Sequence, residues 1–236
     1  LADPATAGAV QLDVRSEAGE WYTLGLSPVV VPGYTASFRV ENWPVERDIG
    51  YRLVLLPSDG ITGQEAGSPF EGQVRADPQD EDEIVVAAFT GNHNVAMPGV
   101  DRGEFDWSRD VWFPHANIVE AVRAHDPDLL FFSGDQVYEG ASPTRADFDH
   151  PYLDYLYNWY LWMWAFRDLT AEITTVTIPV DHDVFNGNVW GAGGRATPSG
   201  LTGAAAQDAG GYKRPAAWVN MVQRTQTSHL PLPFDP

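Results

Sequence analysis

The stretch "DLLFFSGDQVYEG", residues 128–140, decides how the chain is read. Leu129–Phe132 is a short apolar run, long enough for a buried strand. At its C-terminal end stand Ser133 and Gly134, then Asp135, and three positions later Tyr138. A carboxylate at the end of an apolar strand is costly unless a turn or a cation satisfies it. Gly-Asp after a strand is a common turn pair, so the neighbouring segments must separate the two readings.

Working outward, "IVVAAF" (84–89) is a β-branched-rich run without alternation, as expected of a strand covered on both faces. "HANIVEAVRAH" predicts a helix with Ile118, Val119 and Val122 on one side, closed by Pro127. "YLDYLYNWYLWMWAF" (152–166) predicts a helix over 151–168, and "EITTVTIPV" a strand running to Asp181. The helical spacing of Tyr152, Tyr155, Trp159 and Trp162 predicts a core-facing stripe. Strand, helix, strand, helix, strand is an α/β order with parallel pairing.

The C-terminal ends of parallel strands lie along one edge, where open α/β folds place their sites. Here those ends are "TGNHN" (90–94), "GDQVY" (134–138) and "VDHDVFNGN" (180–188). Their convergence would bring Asn92, His93, Asp135, Tyr138, Asp181, His182 and Asp183 to one crevice. Carboxylates, imidazoles and a phenol suit iron, zinc, manganese or calcium. Each piece has a plainer reading: Tyr138 as a packed ring with a bonded hydroxyl, His93 as a turn cap, "DHD" as a solvated loop. Their joint placement after successive strands favours a shared metal site.

Residues 1–80 read as short strands and turns, "WYTLGL", "ASFRVEN" and "GYRLVLL". Alternation in Ser37–Val40 and Tyr51–Leu55 predicts a small β-sandwich of the immunoglobulin or fibronectin kind. The acidic run "DPQDEDE" (77–83) is the linker, and 81–236 is the α/β domain. Residues 187–212, rich in Gly and Ala and without period, read as an active-site loop in which Trp190 and Arg195 hold a ligand. "PAAWVNMVQR" is a short helix after it.

Composition narrows the classes further. The 236 residues carry 33 acidic against 14 basic side chains, a formal charge of -19, which argues against non-specific binding to nucleic acid or anionic lipid. There is no cysteine, so disulfides, thiolate ligands and cysteine nucleophiles are excluded. The most apolar segment, 152–166, is too short to span a bilayer and contains Asp154.

"PDLLFFSGDQVYEG" followed by "TVTIPVDHDVFNGN" resembles the metallophosphoesterase superfamily, and specifically alkaline phosphatases of the PhoD type. The resemblance implies an N-terminal β-domain and a metallophosphoesterase-like α/β sandwich. It implies a phosphoric ester hydrolase with two metal ions, iron plus calcium, or zinc or manganese, and a metal-bound hydroxide as nucleophile. By it Asp135 would bridge both ions, Tyr138 would be the phenolate on a ferric ion, and Asp181 would ligate the second metal. His182 would contact the phosphoryl oxygen or the leaving group, and Asn188 the substrate side. A secreted or periplasmic location is implied as well.

Three departures stand out. Val180 occupies the place where the family's paired acids begin. The family's first block supplies a cysteine; here "TGNHN" stands there, so His93 or Asn92 substitutes. Further ligand blocks expected after "RTQTSHLP" are missing, so the chain reads as the N-terminal part of a longer enzyme, completed by a second polypeptide or closed differently. Two other classes compete. One is a binding module with a carbohydrate platform on the 152–166 aromatics. The other is a glycosidase using a pair such as Asp106 and Asp110, or Asp147 and Asp149.

Overall fold

The computed structural model describes residues 7–57, 68–79, 82–92, 114–138, 150–186 and 195–230. Strands β1 (Ala7–Arg15), β2 (Trp21–Pro28), β3 (Ile49–Pro57) and β4 (Phe70–Val74) form an antiparallel sheet in the order β2-β1-β3-β4. Alternation along β1 and β3 separates its two faces. Leu12, Val14 and Ile49 are buried on one face, with Phe38, Val40 and Trp43 packed onto them. The other face carries Asp13, paired in register with Arg52.

The strand predicted at Ser37–Val40 does not form a ladder. Its alternation is real, because Ser37 and Arg39 are exposed while Phe38 and Val40 turn inward. Among the described residues the segment has no strand partner, so the second layer is an irregular cover over one sheet.

Strands β5 (Val86–Phe89), β6 (Leu129–Phe132) and β7 (Thr174–Thr177) form a parallel sheet in the order β5-β6-β7. Helix α1 (Ala116–Arg123) connects β5 to β6, and α2 (Pro151–Thr170) connects β6 to β7. Phe89, Phe132 and Thr177 are level across the three strands. The ladder of β7 stops early because Pro179 has no N–H to donate, although Ile178 N–H still reaches the Phe132 carbonyl at 3.0 Å. The expectation that β5 is covered on both faces is not met: it is an edge strand, and Val86 is 50% exposed.

Helix α2 opens on Pro151, a residue pre-set for a first helical position. Tyr155, Trp159, Trp162, Phe166 and Leu169 are buried, packed with Phe89, Leu130 and Phe132. Phe89 and Phe132 stack at 4.4 Å, and Trp162 meets Phe132 edge-on at 4.7 Å. Tyr152 is half-buried against Trp218. The predicted stripe is therefore core, while Tyr157, Tyr160 and Trp164 on the same helix are exposed.

Residues 195–212, the described part of the segment 187–212, are more ordered than its composition suggests. They hold a bridge between Ala196 and Tyr212 and a short helix α3 (Gly203–Gln207). Helix α4 (Ala216–Thr227) follows and buries Trp218, Met221, Val222 and Gln226.

The two sheets are joined by specific contacts. The Ala171 carbonyl accepts from Tyr51 Oη at 3.1 Å and from Gln73 N–H at 3.0 Å. Gly72 permits this approach, since an added Cβ would lie 2.5 Å from that same oxygen. Among the described residues no helix is long and apolar enough to cross a membrane.

Candidate metal centre

Three chain segments leave the parallel sheet on one edge. Ser133 N–H donates to the Phe89 carbonyl at 2.9 Å, and Gly91 N–H to the Gly134 carbonyl at 3.3 Å. Gly134 sits at φ +113, and a Cβ there would fall 2.4 Å from Val180 Cγ2. Conformation and space both demand glycine at this position. Asp135 follows at φ +57, so the chain reverses in two residues and the carboxylate turns back over the sheet edge.

What holds this reversal is Asp183. The side chain is fully buried in the short 3-10 turn His182–Val184. Its Oδ2 accepts from the backbone N–H groups of Asp135 at 2.8 Å and Val180 at 2.9 Å. Its Oδ1 accepts from the N–H groups of Gln136 at 3.0 Å and Val137 at 3.1 Å, and from Gln226 Nε2 at 3.0 Å. Burial pushes the Asp183 carboxyl up to about 6, while hydrogen bonds from Val180, Gln226, Asp135 and Val137 pull it down. One carboxylate thus gathers four loop amides, three of them consecutive, that no strand or helix would satisfy.

Asp135 is in the opposite state. Its Oδ2 accepts from Tyr138 Oη at 3.0 Å. Among the described residues its buried Oδ1 has no hydrogen-bond partner. Burial raises its pKa; the Tyr138 hydrogen bond and the His182 side chain and backbone lower it, and the Asp181 charge raises it again. The same interactions place Asp135, Asp181 and His182 within electrostatic reach of one another. The Tyr138 and His182 rings lie 4.6 Å apart, tilted by 34°. Burial, then the neighbouring Asp135 carboxylate, pushes the Tyr138 phenol well above its usual range. Tyr138 therefore stands as a phenol that donates to Asp135.

The first block reaches the same place. Gly91, at φ +61, leaves room for the Tyr138 hydroxyl, which is 3.2 Å from where its Cβ would be. Asn92 Oδ1, like Asp135 Oδ1, is buried without a hydrogen-bond partner among the described residues. The Asp135 carboxylate, with the Tyr138 phenol on it and the Asp181 carboxylate near it, is a donor set that fits a hard cation. No group of three His, Cys, Asp or Glu side chains that could hold a metal occurs among the described residues. The donors described around Asp135 are instead a mixed set that includes a phenol.

His93 and Asn188 lie outside the described residues, as do the acid pairs Asp106 and Asp110, and Asp147 and Asp149. Arg195 is described and exposed; its carbonyl accepts the Tyr212 N–H at 2.9 Å. Tyr212 lines a cleft of about 320 Å³ together with Asp181, Val180, Val184, Val219 and Gln223. The sequence gathered Asp183 into the crevice without distinguishing its inward role from that of Asp181. Gln226 was not singled out at all, since a glutamine within a helix gives no pattern to detect.

No family model matches the chain, and no curated protein does. In three dimensions the chain is similar to a solved structure described as the structure of PhoD, with a TM-score of 0.52 at 13% identity. The match covers 87% of this chain and 37% of that one. At this identity the likeness speaks for the fold. In fold, the chain is PhoD-like.

Proposed function

We propose that this chain carries part of a metal-dependent phosphoester hydrolase centre, built where β5, β6 and β7 end. The observation that carries the reading is the buried Oδ1 of Asp135, which has no hydrogen-bond partner among the described residues while its other oxygen takes the Tyr138 hydroxyl. An anionic oxygen kept from water without a donor is expensive, and a cation offsets that cost directly. The PhoD-like fold gives the reading its reaction class.

In this assignment Asp135, Tyr138, Asp181, Asn92 and His93 would hold two metal ions. Iron plus calcium is the first choice, with zinc or manganese as alternatives. Bound there, the ions would supply an activated water and positive charge opposite the transferring phosphoryl group. His182 holds the phosphoryl oxygen or delivers a proton to the leaving oxygen. Asn188 and Arg195 contact the substrate. Asp183 does none of this; it fixes the backbone from which Asp135 projects. Because Tyr138 is a phenol hydrogen-bonded to Asp135, its ligation requires loss of that proton, so cation uptake and proton release are linked. The substrate is a small phosphoester, and the setting is extracellular or periplasmic.

The test is to load the purified chain with ferric and calcium ions and record the visible spectrum and turnover of p-nitrophenyl phosphate. A tyrosinate–ferric band that disappears in Tyr138→Phe supports the assignment. A folded protein that takes up no metal, or an Asp135→Asn variant that hydrolyses as well as the wild type, overturns it.

A further inference from the structure

Behind the Asp183 carboxylate lies a buried polar cluster that the proposed chemistry does not use. Its hub is Gln226 on α4, 1% exposed. Gln226 Nε2 donates to Asp183 Oδ1 at 3.0 Å and to Tyr155 Oη at 3.1 Å. Its Oε1 accepts from Gln136 Nε2 at 3.1 Å. Its backbone carbonyl accepts from the Thr177 hydroxyl at the end of β7. One residue therefore touches α2, β7, the 135–137 turn and the 3-10 turn.

The direction of every bond in the cluster follows from fixed ends. Gln136 Nε2 also donates to the Ile178 carbonyl at 3.0 Å, so the Gln136 amide faces the hub as a donor. That sets Gln226 Oε1 towards Gln136 and leaves its NH2 for Asp183 and Tyr155. The Thr225 hydroxyl is committed to the Val222 carbonyl at 2.9 Å. Tyr155 must then donate to Thr225, at 2.5 Å, and its oxygen is free to accept from Gln226. A glutamate in place of Gln226 would set a second carboxylate against Asp183 and would lack the donor. A hydrophobic residue would leave the Gln136 amide with one acceptor fewer and Asp183 with one donor fewer.

Helix α4 is itself fixed from the far side. Arg224 Nη1 donates to the Pro32 carbonyl at 2.8 Å, and a Cβ on Gly33 would lie 3.3 Å from Thr225 Cγ2. A turn of the N-terminal domain thus seats the helix whose other face bears Gln226.

We propose that Gln226 is a positioning residue of the metal centre: its amide locks Asp183, and through Asp183 the turn that aims Asp135. The proposal rests on the metal reading of Asp135, and its test separates the two. Gln226→Glu and Gln226→Leu are compared with the wild type by residue-resolved amide exchange and by binding of Mn²⁺ alone. Both variants are expected to exchange the amides of Asp135, Gln136 and Val137 about tenfold faster or more, with Leu12 and Val54 unchanged. The Mn²⁺ dissociation constant is expected to rise by about tenfold. If Gln226→Leu does not fold, the nearly isosteric Gln226→Glu carries the test. Exchange that is unchanged at the three amides, or accelerated equally at Leu130 and Phe132, overturns the proposal. So does an unchanged Mn²⁺ constant, which would make the cluster packing alone. Asp135→Asn is the control: Mn²⁺ binding as tight as in the wild type would defeat the metal reading, while the exchange data still report on Gln226.

Discussion

Two acids, one within the antiparallel sheet and one just past the end of β6, show what separates a structural carboxylate from one suited to a ligand. Asp13, 1% exposed on β1, accepts from Arg52 Nε at 2.8 Å, from Thr23 Oγ1 at 2.8 Å and from Gln11 Nε2 at 2.8 Å. Arg52 in turn lies over the Trp21 ring at 5.0 Å. Both carboxylate oxygens have partners within the sheet. Asp135 has a phenol on one oxygen and, among the described residues, no partner on the other. Burial raises both acids, but at Asp13 the Arg52, Thr23 and Gln11 hydrogen bonds reverse the shift, and at Asp135 they do not. The antiparallel sheet has spent its cations on its own acids. The parallel sheet's edge has left an oxygen without one.

Substitutions should follow that contrast. Asp183→Ala strips the acceptor from four backbone amides and Gln226, and thermal unfolding should show a loss of about 4 kcal/mol or more. Gly134→Ala forces a Cβ into Val180 at positive φ and should cost about 3 kcal/mol, read by denaturant titration, with cation binding lost too. Asp13→Ala leaves Arg52 without its partner and should cost about 2 kcal/mol, with cation binding intact. Asp135→Asn should stay within about 1 kcal/mol of the wild type, because it removes a group that is poorly served in the metal-free fold.

The two acids also separate by pH. Asp13 is lowered from 3.8, so its stabilising effect is present above 3.8 and lost as the pH falls through its folded value. Asp135 is raised from 3.8, so its unfavourable effect appears as the pH rises past 3.8 and is complete above its folded value. Metal-free melting curves should therefore show the Asp13→Asn deficit shrinking on acidification. The Asp135→Asn variant should gain on the wild type as the pH rises. A parallel response of the two variants would remove the contrast.

How far the residues announced this arrangement differs between the parts. Apolar runs such as Leu129–Phe132 and the α2 aromatics predict their elements because burial alone dictates them. The convergence of 90–94, 134–138 and 180–188 is an expectation from parallel topology; among the described residues Gly91 lies against Tyr138, and Asp135, Tyr138 and His182 lie together. Ser37–Val40 misled because alternation reports which side chains face inward, and a ladder needs a partner as well. Asp181 and Asp183 could not be told apart, since a 3-10 turn, unlike a strand, does not place i and i+2 on one face. Gln226 acts on Gln136 across 90 residues, and its effect depends wholly on how α4 docks.

The most direct trial of the cation claim is elemental analysis of three folded, extensively dialysed proteins: the wild type, Asp13→Asn and Asp135→Asn. Bound metal in the first two and none in the third is the predicted result. Equal metal in all three, or a fully folded wild type that retains none after exposure to iron and calcium, would contradict the account.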